Sequence, residues 1–222
     1  MLSILISFLV FDRGAPISCI ASLVGVTSLI LCAKGNPIGQ AMIIVFSLMY
    51  AYISYSFAYY GEMLTYLGMT APMAVVALIS WLRNPYDGNR AEVKVNKIGK
   101  KEVLLIIPVS IAVTAAFYFI LRQLGTANLI PSTFSVLTSF VAVYLTSRRS
   151  PYFAVAYALN DVVLMILWSL AAASDIGYLS VVICFAAFLL NDIYGFYNWL
   201  RMWKRQSSTD PCRENASKGD IE

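Results

Sequence analysis

Histidine is absent from this chain of 222 residues. Its absence excludes His-based acid/base catalysis, His metal sites and nucleophiles that rely on a Ser-His or Cys-His pair. Cysteine is scarce: Cys19, Cys32, Cys184 and Cys212 form no C-x-x-C motif. A disulfide framework or zinc site is therefore not expected, and the cysteines within apolar runs are interpreted as small packing residues. The sequence therefore predicts a protein that binds neither a metal nor another cofactor and that is not an enzyme.

Charged residues are also few, at 13% of the chain, whereas apolar residues make up 59%. An average soluble domain has roughly 45–50% apolar residues, so this composition is typical of an integral membrane protein. The net charge of +4 does not indicate a nucleic-acid partner, because the basic residues lie between long apolar runs. The expected surrounding is a lipid bilayer.

Seven apolar stretches are each long enough to cross a bilayer, for which a helix needs about 20 mostly apolar residues. They predict an all-α integral membrane protein with spans over residues 17–33, 38–60, 63–81, 103–121, 129–146, 152–172 and 176–200. Residues 16–203 are then one transmembrane domain. The polar residues 204–222 are expected to form a disordered cytoplasmic tail.

The first 15 residues are interpreted separately. Residues 2–11 are apolar but form a short run, and Asp12-Arg13-Gly14 interrupts it before the first span. The run lacks a basic start and an Ala-x-Ala cleavage site, so residues 1–15 are expected to be a retained interfacial segment rather than a signal peptide. An extra membrane segment here is the open alternative, and it would change only the side of the N-terminus.

The basic residues indicate an orientation, because cytoplasmic loops of membrane proteins are enriched in Lys and Arg. With the C-terminus inside, fourteen of the sixteen basic residues are cytoplasmic, and only Arg13 and Arg122 lie outside. The sequence therefore predicts a multi-pass protein of the cell membrane with an external N-terminus and a cytoplasmic C-terminus.

Two connections in the chain resemble each other at a spacing of 114 residues: 32–37, Cys-Ala-Lys-Gly-Asn-Pro, and 146–151, Thr-Ser-Arg-Arg-Ser-Pro. Spans three and seven both end in Trp-Leu-Arg, at 81–83 and 199–201. These matches predict two three-helix units joined by a linker helix, a 3+1+3 arrangement. Because the linker crosses once, the units form a parallel repeat, and transporters built from repeats bind substrate near the midplane between the halves.

An Asn-Asp dipeptide lies deep within each of two predicted spans, at Asn160-Asp161 and Asn191-Asp192. A carboxylate near the bilayer centre costs roughly 2.5–3.5 kcal/mol on insertion scales, so such residues usually face a cavity or a partner. Aromatic rings beside amides and carboxylates suit a flat heterocycle attached to a sugar. The predicted substrate site therefore consists of Tyr157, Asn160, Asp161, Trp168, Asn191, Asp192, Tyr194 and Asn198.

Two alternatives remain for these polar side chains. They could simply hydrogen-bond between helices, which in membranes stabilises by about 0.6–2 kcal/mol each. Alternatively, a protonated Asp in low dielectric could carry a proton and couple transport to an ion gradient. Since the spans contain no third deep acid and no histidine to complete a relay, facilitated diffusion is the expected mechanism.

Three passages together resemble the PnuC family of vitamin and nucleoside-precursor transporters. They are Tyr59-Tyr60-Gly61-Glu62 with Trp81-Leu82-Arg83-Asn84, Arg149-Ser-Pro-Tyr152 with Asn160-Asp161, and Gly195-Phe-Tyr197-Asn198-Trp199. The resemblance covers about residues 16–203. It implies a 3+1+3 fold related to the SWEET sugar transporters, a site between the triplets, and uptake of nicotinamide riboside by facilitated diffusion. It also implies a functional link to a cytoplasmic kinase that traps the substrate.

One departure from the family leaves the substrate open. Tryptophans often precede the position of Asn160 in the family, whereas this chain has Phe153, Ala156 and Tyr157 there. Thiamine, riboflavin and deoxynucleosides therefore stay as alternatives to nicotinamide riboside. A membrane-embedded enzyme or sensor is disfavoured, because the chain has no histidine, metal-ligand cluster or soluble domain. The sequence leaves open whether the chain forms a homo-oligomer.

Overall fold

The computed structural model describes residues 16–56, 60–126, 128–173 and 179–209. Its helices are α1 Pro16–Ala33, α2 Ile38–Ser56, α3 Tyr60–Thr65, α4 Ala71–Leu82, α5 Lys100–Gln123, α6 Leu129–Ser147, α7 Phe153–Ala172 and α8 Leu179–Thr209, and a π-helical turn, Tyr66–Thr70, joins α3 to α4. Two short strands, β1 Pro85–Tyr86 and β2 Asn89–Val93, lie between α4 and α5. The predicted segment 1–15 and residues 210–222 of the predicted tail lie outside the described residues.

Helix length and composition fit a membrane protein. Five helices within the described part of the chain are long and apolar enough to cross a bilayer: Met63–Leu82, Lys100–Gln123, Leu129–Ser147, Phe153–Leu170 and Val181–Ser208. Two further helices, Ile20–Ala33 and Ile38–Ile53, are apolar but shorter. The predicted all-α membrane fold is confirmed, and two of the seven predicted spans are these shorter helices.

The third span is irregular where a proline interrupts its hydrogen bonding. Pro72 has no backbone N–H and cannot donate to the carbonyl of Gly68, four residues earlier. Ala71 N–H instead bonds to Tyr66 O, five residues earlier, which is the π-helical pattern. This turn places Tyr66 and Thr70 on the cavity described below.

The connection between α4 and α5, predicted as a loop, contains a β-hairpin. Strands β1 and β2 are antiparallel, with Tyr86 opposite Asn89. Between them Asp87 and Gly88 have φ values of 49° and 74°. Two successive positive φ angles are typical of the type I′ turn that an Asp-Gly dipeptide favours. The dipeptide is visible in the sequence, so the hairpin could have been predicted.

The helices pack as two groups of three spans, with α5 at the side. The third span of the first group consists of α3, the π-helical turn and α4. In the first group α1 packs on α2 and α2 on α4, and in the second α6 packs on α7 and α7 on α8. The groups meet where α1 contacts α8 and where α4 contacts α6, while α5 packs against α6. Each group thus contributes its first and last helix to the interface, as expected for two units related by an approximate twofold axis.

Two buried tryptophans join the groups in a reciprocal way. Trp81 Nε1 donates to Thr146 O and Trp199 Nε1 to Cys32 O, both at 2.9 Å, and the two ring centroids are 5.3 Å apart. Neither tryptophan is exposed. Cys32 and Thr146 are residues that the predicted repeat aligns, so the reciprocal bonds support the 3+1+3 interpretation.

The turns that follow α1 and α6 are also alike. Gly35 and Arg149 have left-handed φ values of 70° and 59°. After each, the next backbone N–H bonds five residues back: Asn36 N to Leu31 O and Ser150 N to Leu145 O, both at 3.0 Å. This is the Schellman pattern of helix ends. The two turns therefore have the same backbone geometry despite different sequences.

Residues 93–96, which we call the strap, cross both of these turns. Val93 N–H donates to Gly35 O, and Asn96 N–H donates to Arg149 O, each at 3.0 Å. Val93 and Val95 are buried in the cluster that contains the tryptophan pair. The strap therefore covers the end of the bundle at which the two groups meet.

Helix α8 continues to Thr209, past residue 204, where the tail was predicted to begin. Gln206 is buried against the strap: its Oε1 accepts from Val95 N–H at 2.7 Å, and its Nε2 donates to Val93 O at 3.1 Å. Arg205 forms an ion pair with Glu92. These contacts explain why the first residues of the predicted tail are helical.

Candidate functional site

A cavity of about 170 Å³ lies between the two helix groups. A single water molecule needs only about 10–15 Å³, so the cavity is large enough for several waters or an organic ligand. The first group lines it from α1, α2 and the π-helical turn, and the second lines it from α6, α7 and α8. This position corresponds to where repeat-built transporters bind their substrates.

Asn160 forms the polar centre of the wall contributed by the second group. Its Oδ1 accepts hydrogen bonds from Thr138 at 2.8 Å, Ser139 at 3.0 Å and Ser135 at 3.2 Å, all on α6. Three hydroxyl groups thus converge on this amide and hold it against α6. The Asn160 side chain is buried and lines the cavity.

The wall contributed by the first group is aromatic. Phe46 and Tyr50 of α2 and Tyr66 of the π-helical turn contact one another, with Tyr50 and Tyr66 centroids 4.5 Å apart and Phe46 edge-on to Tyr66 at 5.9 Å. All three line the cavity. The second group adds the rings of Tyr157, Trp168, Phe185 and Phe188. A cavity lined by rings together with amide and hydroxyl groups can stack a planar ring while hydrogen-bonding a polar substituent.

Two carboxyl groups complete the site. Asp161 of α7 and Asp192 of α8 are 4% and 5% exposed and line the same cavity. A smaller cavity adjoins Asp192 and is lined also by Cys32, Gln40 and Asn191. Gln40 Nε2 lies 3.2 Å from Cys32 Sγ there, so the glutamine is fixed between α1 and α2.

The structure separates the eight predicted site residues into two sets. Five line the main cavity: Tyr157, Asn160, Asp161, Trp168 and Asp192. Asn191 lines the smaller cavity, and Tyr194 is half exposed. Asn198 Nδ2 donates to Ala33 O at 2.8 Å, so this amide joins α8 to α1. Of the asparagines in the two Asn-Asp dipeptides, Asn160 lines the main cavity and Asn191 lines the smaller one.

Sequence analysis missed the aromatic wall and the hydroxyls around Asn160. Ser135, Thr138 and Ser139 follow a helical spacing on one face of α6, a signal that could have marked a polar face. Tyr50 and Tyr66 stand among many other aromatics, so their spacing alone did not distinguish them. Across the described residues, no group of three or more His, Cys, Asp or Glu side chains is placed to hold a metal ion.

The sequence profile of the nicotinamide mononucleotide transporter family matches residues 15–201. The chain belongs to this family. The match covers helices α1 to α7 and most of α8. It therefore includes both groups of helices and the cavity between them. The predicted resemblance to the PnuC family of transporters is thereby confirmed, since curated PnuC proteins are among its relatives.

Two curated relatives are named nicotinamide riboside transporter PnuC. The protein from Neisseria mucosa is 26% identical over 202 residues, which cover 89% of this chain and 77% of that protein. The protein from Haemophilus influenzae is 22% identical over 191 residues, covering 85% and 81%. A crystal structure of the vitamin B3 transporter PnuC superposes with a TM-score of 0.78 at 25% identity and covers 92% of this chain and 90% of that one. Family and fold agree that this chain is a membrane transporter and not an enzyme.

Proposed function

We propose that this member of the nicotinamide mononucleotide transporter family takes up nicotinamide riboside by facilitated diffusion. The observation that carries the proposal is the composition of the cavity: the aromatic cluster of Phe46, Tyr50 and Tyr66 and the polar group around Asn160 line the same space. Nicotinamide riboside has a planar ring that can stack and a ribose that needs hydrogen-bond partners. The names of the curated relatives point to the same substrate.

The mechanism we propose has no ion coupling. The carboxyl pair of Asp161 and Asp192 is the one acidic cluster on the cavity among the described residues, and no further acid connects it to either end of the bundle. Accumulation would then depend on a cytoplasmic kinase, because phosphorylation adds charge that the cavity does not neutralise. Such a kinase is the functional partner of this proposal.

Liposomes that contain the pure protein test the proposal. We expect labelled nicotinamide riboside to equilibrate across the membrane, with no accumulation when a proton or sodium gradient is imposed. Enclosing a nicotinamide riboside kinase with ATP should turn equilibration into accumulation. Protein-free liposomes are the control for leakage. Uphill uptake driven by an ion gradient alone would contradict facilitated diffusion. Uptake of thiamine, riboflavin or a deoxynucleoside without uptake of nicotinamide riboside would identify a different substrate.

We also propose that the end of the bundle covered by the strap faces the cytoplasm. The strap belongs to the connection between α4 and α5, which is the most basic connection of the chain. Lys97→Cys, on the exposed part of that connection, should resist an impermeant thiol reagent in intact cells and react after permeabilisation. Asp175→Cys, in the connection before α8, should react in intact cells. A background in which the native cysteines are replaced by serine serves as the control. The reverse labelling pattern would place the C-terminus outside.

A further inference from the structure

The carboxyl pair on the cavity has no cationic partner among the described residues that line it. Asp161 and Asp192 are both buried and line the same cavity. Two neighbouring carboxyl groups in a desolvated site do not both ionise, so the pair carries at most one negative charge.

The described side chains around the pair supply no positive charge. The titratable side chains that face it are Cys32 of α1, Tyr157 of α7 and Cys184 of α8, and none of these is a cation. Among the described residues that line the cavity there is no Lys or Arg. The buried Oδ2 of Asp161 has no hydrogen-bond partner among the described residues. A buried charge without a partner is unfavourable, so a ligand that brings a positive charge gains affinity at this site.

We infer that the Asp161–Asp192 pair is the counter-charge that makes this site select a cationic ligand over a neutral ligand of the same shape. The inference rests on the proposed function for the choice of ligand. Nicotinamide riboside carries a permanent positive charge on its pyridinium ring, which one ionised carboxyl group of the pair neutralises.

A matched pair of ligands isolates the charge. Dihydronicotinamide riboside has the same ring substituents and the same ribose, but its reduced ring is neutral. Calorimetry on the purified protein should give tighter binding for the pyridinium form. Equal or tighter binding of the dihydro form to the unmodified protein would overturn the inference, and this comparison needs no variant.

Asparagine variants then locate the charge. In Asp161→Asn or Asp192→Asn the remaining carboxyl can ionise and accept a hydrogen bond from the new amide, so each single variant should keep the preference. The double variant has no charge, and its affinity for the pyridinium form should fall by about ten-fold or more while the dihydro form changes by less than about three-fold. Asn160→Ala is the comparison variant, because it should weaken both forms alike.

The outcomes distinguish this inference from the proposed function. A double variant that keeps the full preference would overturn the inference, as would a single variant that abolishes it completely. If the unmodified protein binds neither form but binds thiamine, whose thiazolium ring is also cationic, the proposed substrate is wrong and the charge selection stands. Binding of neutral riboflavin or a neutral deoxynucleoside instead would contradict both. Binding of the dihydro form to the double variant also reports that its cavity is intact.

Discussion

Trp199→Ala is expected to lower the free energy of unfolding by about 3–5 kcal/mol, the usual cost of truncating a fully buried tryptophan. The indole is 0% exposed and packs on Trp81 at 5.3 Å and on Phe153 at 4.9 Å between ring centroids. The substitution also leaves the buried Cys32 carbonyl without its 2.9 Å hydrogen bond. Thermal unfolding in detergent and abundance in the membrane measure the effect.

The reciprocal geometry gives this prediction an internal comparison. Trp81→Ala removes the equivalent bond to Thr146 O and should cost a similar amount. Tyr197→Ala, on the same helix but 69% exposed, should change stability by less than about 0.5 kcal/mol and is the control. A Trp199 variant as stable as the Tyr197 variant would show that the tryptophan pair does not hold the two helix groups together.

Asn160→Ala is expected to weaken binding of nicotinamide riboside by about 1–3 kcal/mol, or roughly 5- to 150-fold. Three α6 hydroxyls occupy its Oδ1 and leave its amide nitrogen to donate to a ligand in the cavity. The variant removes that donor and also leaves the three hydroxyls without their common acceptor. Calorimetry on the purified variant measures the loss.

Asn191→Ala is the matched control for this prediction. Asn191 belongs to the second Asn-Asp dipeptide but lines the smaller cavity, so its loss should weaken binding much less than the loss of Asn160. Both variants should insert at normal abundance. Equal affinities for the Asn160 variant and the unmodified protein would indicate that the hydroxyl cluster only joins α6 to α7.

The sequence by itself was sufficient to predict an integral membrane protein, because the length and hydropathy of an apolar run do not depend on its neighbours. The helices that contain Asn160 and Asp192 could be predicted for that reason. The 114-residue spacing pointed to Cys32 and Thr146 as equivalent, and the structure places both opposite a tryptophan indole. These features follow from composition and spacing along one chain.

Two differences between the predicted and the observed structure could have been foreseen from local sequence signals. The Asp87-Gly88 turn and the π-helical turn before Pro72 are both dictated by residues whose backbone preferences are known. The helical extension through Gln206 has another origin. A polar segment alone would be expected to be disordered, but hydrogen bonds to the strap stabilise it as a helix.

Only the tertiary structure decided which polar and aromatic side chains share the cavity. Asn191 and Asp192 are neighbours in the sequence, yet the rotation of about 100° per residue along a helix directs Asp192 to the main cavity and Asn191 away from it. Tyr50 and Asn160 lie far apart in the chain and meet only because α2 and α7 belong to facing helix groups. Spacing along one helix gives the face of a residue, whereas the packing of helices determines what that face contacts.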